Sequence, residues 1–251
     1  ADFRLQPYDR FYYSAKMKRD QCSFSDDDVK PYFNLDSVLV NGIFYAAHRV
    51  YGLSFRERKD IPAYHKDMKV FDVMDADGRQ LALFYCDYFR RPTKRGGAWM
   101  SAFLKQSGDR QQKPLVYNVC NFAKAPEGQP TLLTWDETQT MFHEFGHALH
   151  GIFADTHYPA LSGTNVYWDF VELPSQFMEN FALRPEFLRT FAHHYETGEE
   201  MPETLLERIR RAHNFNAAYA CIRQVSFGLL DMAYYTRTEK LEGDIRNFER
   251  E

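Results

Sequence analysis

The stretch from Thr134 to Phe153 constrains this chain more than any other, because it must form a buried helix and yet carries ionisable groups in its middle. Thr134-Trp135-Asp136-Glu137 has the T-x-x-E form of a capping box, in which two side chains satisfy two free backbone N–H groups, so the helix starts at Thr134. Met141, Phe142, Phe145, Ala148, Leu149, Ile152 and Phe153 then recur at spacings of three and four, the pattern of a buried helical face. Among them fall His143, Glu144 and His147. Such groups are costly to bury without partners, so the fold has to provide one.

Two histidines four residues apart lie about 40° from each other around a helix and roughly 6 Å apart along its axis, so both imidazoles can reach one ion. The run His143-Glu144-Phe145-Gly146-His147 is therefore read as H-E-x-x-H, with His143 and His147 as ligands of a single Zn2+ and Glu144 as the general base acting on water at that metal. His150 shares the face, but a His147/His150 pair would leave no acid in the place of Glu144. It is read as a packing or supporting residue. A catalytic zinc takes a third protein ligand and leaves a fourth position to water. The H-E-x-x-H-x-x-G-x-x-H pattern is excluded, since positions 150 and 153 are His150 and Phe153. A carboxylate remains, from Asp155, Asp169, Glu172 or Glu179, and Asp155 is too close to the end of the same helix. If 169–179 forms a second helix, Glu172 faces the first one, and Asp169 and Glu179 can orient the histidine N–H groups. Spacing leaves this choice open.

Composition narrows the partners. With 251 residues the chain can bury a sizeable core as one large or two small domains, and its net charge of −4 gives no reason to expect nucleic acid. Arg90, Arg91, Lys94 and Arg95 form the one notable basic patch; beside Pro92 and Gly96-Gly97 it reads as a solvated loop, with a substrate carboxylate as the alternative contact. Cys22, Cys86, Cys120 and Cys221 are widely spaced, as suits buried thiols in a reducing compartment such as the cytoplasm. No run approaches the ~18 apolar residues of a membrane span.

The organisation is mainly α with a small β-sheet. Residues 1–66 read as helical, with Ser25 capping an acidic first turn and a second helix that opens at Asp36 or Ser37 and stops near Gly52. Residues 67–122 hold the sheet: a hairpin around Asp77-Gly78, then a strand at 115–120. An edge strand beside the metal can hold an extended peptide through main-chain hydrogen bonds, and 115–122 is the choice for it. Residues 134–251 read as a helical metal-binding region, bounded in its later part by Pro185, Gly198 and Pro202.

The segments HEFGHALH, SGTNV and DFVELPSQFMENF, together with NGIFYAAHRVYGLSFRER, LALFYCDYFRR, GGAWMS and PLVYNVCNFAK, resemble the thimet oligopeptidase and peptidyl-dipeptidase family of zinc metallopeptidases. The likeness is greatest to its bacterial peptidyl-dipeptidase branch, which removes dipeptides from free C-termini. The resemblance implies a zincin-like (gluzincin) catalytic region with one Zn2+ on His143, His147 and Glu172, and Glu144 as the base. It implies a monomeric cytoplasmic enzyme for short peptides, with neither nucleic acid nor membrane as partner. The family continues to a Gly- and Tyr-rich substrate loop that these residues do not contain, so the chain is read as a piece of a longer enzyme. Two alternatives accompany this reading: an endo-acting oligopeptidase of thimet type, and a zinc-binding fragment that turns nothing over.

Overall fold

The computed structural model describes residues 3–23 and 25–250; the outer limits of the expected segments, at Ala1 and Glu251, lie outside the described residues. Helix α1 (Asp9–Cys22) stops where Ser23 turns left-handed. The acidic turn α2 (Asp26–Val29) starts on Ser25, whose hydroxyl accepts the Asp27 N–H. The next helix begins earlier than expected, with α3 (Leu35–Ser37), because the Asn34 side chain accepts the Asp36 N–H and takes the cap. It widens to a π-helix over Val38–Phe44, returns to α geometry in α4 (Tyr45–Tyr51), and ends at Gly52 with φ 74°.

Five strands follow: β1 (Ser54–Glu57), β2 (Lys69–Met74), β3 (Gln80–Phe89), β4 (Trp99–Leu104) and β5 (Leu115–Phe122). After them come α5 (Trp135–Ile152), α6 (Trp168–Val171), α7 (Leu173–Ala182), α8 (Pro185–Phe191), α9 (Glu203–Asn214), α10 (Ala217–Tyr235) and α11 (Ile245–Phe248). The molecule is thus mainly helical with a small mixed sheet. It divides into two compact units, Ser25–Leu206, and Ala1–Phe24 with Glu207–Glu251. In the latter, the Arg10 guanidinium lies 3.9 Å from the centre of the Tyr219 ring, and α10 has no buried residue. No helix of the described residues is long and apolar enough to cross a membrane.

The larger unit holds the sheet, in the order β1-β2-β3-β5-β4. β2 and β3 form the expected hairpin; Gly78 takes φ 83° and the Asp75 carbonyl accepts its N–H. β3 and β5 run parallel, which requires a long connection between them. That connection contains β4, which folds back antiparallel onto β5. The expectation that 115–122 is the edge strand is therefore corrected: β5 is interior, paired on both sides, and the edge strands are β1 and, next to β5, β4.

The basic patch is also corrected. Arg91 donates two hydrogen bonds of 2.7 Å to the Asp87 carboxylate, and Lys94 donates to Asp87 Oδ1 at 3.0 Å and to the carbonyls of Asp87 and Phe89 at 2.8 Å. Tyr64 adds a hydrogen bond of 2.6 Å to Asp87 Oδ2. With its side chain only 3% exposed, Lys94 is an internal group that closes the turn leaving β3, available neither to solvent nor to a substrate. Arg90 and Arg95 alone of the four remain exposed.

α5 lies across β3, β4 and β5 on one side and against α7 on the other. Two glycines permit both contacts. A Cβ on Gly146 would come within 2.4 Å of the Pro174 carbonyl oxygen, and one on Gly151 within 2.5 Å of Met100 Cε and 3.1 Å of Val116 Cγ2. Around this helix the core is aromatic: Phe84 and Phe145 meet edge to face at 5.5 Å, and Phe44 stacks on Phe55 at 3.8 Å. Each fully buried side chain of this size stabilises the fold by about 1.5–3 kcal/mol.

Candidate metal centre

α5 begins as its sequence dictates, with the Thr134 hydroxyl accepting the Glu137 N–H and the Glu137 carboxylate accepting the Thr134 N–H. Two turns on, the rings of His143 and His147 lie edge to face with centroids 4.9 Å apart. The expected single helix over 169–179 is broken at Glu172, which ends α6 and precedes α7, with Pro174 in the first turn of α7. The break presents the Glu172 carboxylate to α5. Its Oε2 lies 3.3 Å from His143 Nε2 and 3.2 Å from His147 Nε2. Each of the three residues offers one donor atom, all within 4.8 Å of one another, a cluster suited to a single metal ion. Two imidazole nitrogens and one carboxylate oxygen are a donor set that fits zinc.

The supports of the three groups differ. His143 Nδ1 is hydrogen-bonded to Glu179 Oε1 at 2.6 Å, and the other Glu179 oxygen accepts from Gln139 at 2.7 Å, so that only Nε2 of His143 faces the cluster. This hydrogen bond raises the His143 pKa. Glu172 is steadied by the buried Ser175 hydroxyl, 2.7 Å from Oε2 and 2.9 Å from the Glu172 carbonyl. His147 Nδ1 is buried with no hydrogen-bond partner among the described residues, and burial lowers the pKa of this imidazole. Of the two carboxylates expected to orient the histidines, Glu179 does so, whereas Asp169 stays exposed. His150 lies outside the cluster and packs its ring on Phe170.

Glu144, next in the chain to His143, is 5% exposed and its Oε2 has no hydrogen-bond partner among the described residues. Burial pushes its pKa up to about 7 against the opposing charge of His143. Two clefts flank the cluster and share Ala98, His143 and Glu144: one of about 620 Å³ reaching Gly97 and Asn121, the other of about 610 Å³ reaching Trp99, Val166 and Trp168. Gly97 and Ala98, which lead into β4, line the first, and Trp99 and Met100 at the start of β4 line the second. Sequence reasoning missed Ser175, Gln139 and this edge. The first two had a local signal, since Ser175 follows Glu172 by three residues and Gln139 precedes His143 by four.

The profile of peptidase family M3 matches residues 1–249. Dipeptidyl carboxypeptidase of Salmonella typhimurium is 43% identical over 250 residues, which are 99% of this chain and 37% of that protein. The protein of the same name from Escherichia coli is 44% identical over 98% of this chain and 36% of its own length. Oligopeptidase A of Escherichia coli is 42% identical over 95% of this chain and, again, 36% of its own length. The chain thus spans little more than a third of the relatives it matches. A match along nearly its whole length, borne on a helix with an H-E-x-x-H run and a carboxylate brought up to both histidines, shows that the chain belongs to peptidase family M3.

Proposed function

We propose that this chain is the metal-binding part of a zinc-dependent peptidase that releases dipeptides from the free C-terminus of oligopeptides. The observation that carries the reading is the convergence of His143, His147 and Glu172 beside a buried carboxylate with a free oxygen, Glu144 Oε2. His143 and His147 through Nε2, and Glu172 through its carboxylate, would hold one Zn2+. Zinc held there supplies Lewis acidity, polarising a scissile carbonyl and acidifying a water molecule.

Glu144 does the proton work. Buried beside the cluster with one oxygen unpartnered among the described residues, it takes a proton from the attacking water and returns it to the leaving amine. Glu179 and Ser175 hold His143 and Glu172 in place. The free edge of β4 offers main-chain donors and acceptors to an extended peptide, which favours any sequence over one in particular. The same reading makes the protein a cytoplasmic monomer acting on short peptides. The similarity to dipeptidyl carboxypeptidases supports exo-action. The similarity to oligopeptidase A sustains a second reading, internal cleavage.

Metal analysis and peptide hydrolysis on the full-length protein test the proposal. About one zinc per chain is expected, as three protein ligands require, lost in His147→Ala and kept in Glu144→Gln, with hydrolysis in the latter down about 10²–10⁴-fold. Equal zinc content and equal activity in the two variants would refute the assignment. A peptide amidated at its C-terminus should resist cleavage; internal cutting of it would establish the second reading.

A further inference from the structure

Asn118, in the middle of β5, is fully buried, and neither its Oδ1 nor its Nδ2 has a hydrogen-bond partner among the described residues. A buried amide left this way is costly, and such a group calls for a physical reason. Its place in the sheet supplies one. Asn118 is in register with Met100 on β4, and paired residues share a face of the sheet. Met100 Cε lies against Gly151 of α5, so the face in question is the one under α5.

The position along the helix follows from neighbours on either side. Val116, two residues before Asn118, also lies against Gly151. Cys120, two residues after it, is buried, and Asn121 and Phe122 just beyond it line one cleft with Glu144. Glu144 and Gly151 are about 10 Å apart along the helix axis, and Val116 and Cys120 about 13 Å apart along the strand. Asn118, midway on the strand, therefore lies beneath the middle of that helical segment, which is residues 147 and 148. Of the three buried atoms of α5 without a partner among the described residues, Glu144 Oε2, His147 Nδ1 and His150 Nδ1, the one at this level is His147 Nδ1, on a ring whose Nε2 is turned to Glu172.

We infer that Asn118 is a positioning residue for His147: its amide oxygen takes the Nδ1–H of the imidazole through one buried water, and so fixes the tautomer in which Nε2 faces the metal cluster. The two histidines are then both held, His143 from α7 by Glu179 and His147 from the sheet by Asn118. An imidazole held in this way is a better and better-aimed ligand. The inference rests on the zinc reading above and concerns only how one of its ligands is held.

Zinc affinity by chelator competition, read beside the thermal stability of the metal-free protein, tests it. Asn118→Leu keeps the branched shape and the number of side-chain heavy atoms and removes two buried unsatisfied atoms, so a merely structural asparagine predicts similar stability and unchanged zinc affinity. The positioning role predicts the same stability with zinc bound about 10- to 100-fold more weakly. Asn118→Asp, which keeps the acceptor, should bind zinc within a few-fold of the wild type. If the leucine variant does not fold, Asn118→Val serves in its place. Wild-type affinity in Asn118→Leu, or a loss that merely follows lowered stability, overturns the inference and leaves the metal centre standing. A wild-type protein that holds no zinc overturns both.

Discussion

Asp87 and Glu144 are both buried carboxylates of the larger unit, 3% and 5% exposed, and the protein treats them in opposite ways. Around Asp87 stand Tyr64, Arg91 and Lys94, every one of them donating to it. Burial alone would raise its pKa, but those hydrogen bonds override it and hold the group at about 2. Among the described residues Glu144 receives no such set, its Oε2 has no partner, and burial raises its pKa to about 7. A carboxylate surrounded by donors stays charged; one that is buried and left partly alone is the kind that can exchange a proton. The difference separates a group that ties down a turn from the group proposed as the base.

The largest effect expected from that contrast is on stability. Asp87→Ala leaves Arg91 and Lys94 uncompensated and should lower the unfolding free energy by about 3–5 kcal/mol in urea titration, whereas Glu144→Gln should not lower it at all. Comparable losses in the two would erase the distinction. A smaller effect is in pH. Because the folded pKa of Asp87 lies below the usual ~3.9 of an unfolded aspartate, its stabilisation is complete above that value and disappears as pH falls through 2, about 2 kcal/mol in all. Unfolding curves between pH 5 and 2 should be steeper in pH for the wild type than for Asp87→Asn, and parallel curves would show that Asp87 is not the group responsible. The smallest concerns the support of the metal centre: Ser175→Ala should weaken zinc binding about 10-fold, measured by chelator competition, without changing Glu144 chemistry. An unchanged zinc affinity would mean that Glu172 is held by the backbone break alone.

The parts legible in the sequence were those fixed by short-range patterns. The capping box at Thr134, the helix carrying His143 and His147, and the hairpin at Asp77-Gly78 depend on residues within a few positions of one another, and all appear where expected. The edge strand did not, because strand order depends on how the long connection from β3 to β5 is routed, and nothing local to 115–122 encodes its neighbours. β1 and β4 escaped notice for the same reason: short strands with mostly exposed or half-buried residues, held by pairing with distant ones. The basic patch looked solvated because a run of like charges normally is; its counter-ion, Asp87, sits just before it within an otherwise apolar strand. At Glu172 the helical period continued through a point where Pro174 makes the chain restart, and that restart is what aims the carboxylate.

Gly146 gives the centre its scale. Where α5 meets α7 the two backbones touch, with no side chain between them to adjust, and Glu172 stands two residues ahead of the Pro174 carbonyl that occupies the contact. The gap between carboxylate and imidazoles is therefore gauged by a hydrogen atom. Any methyl at position 146 would act as a shim, lifting the acid from the histidines while leaving every donor atom and every charge of the set intact.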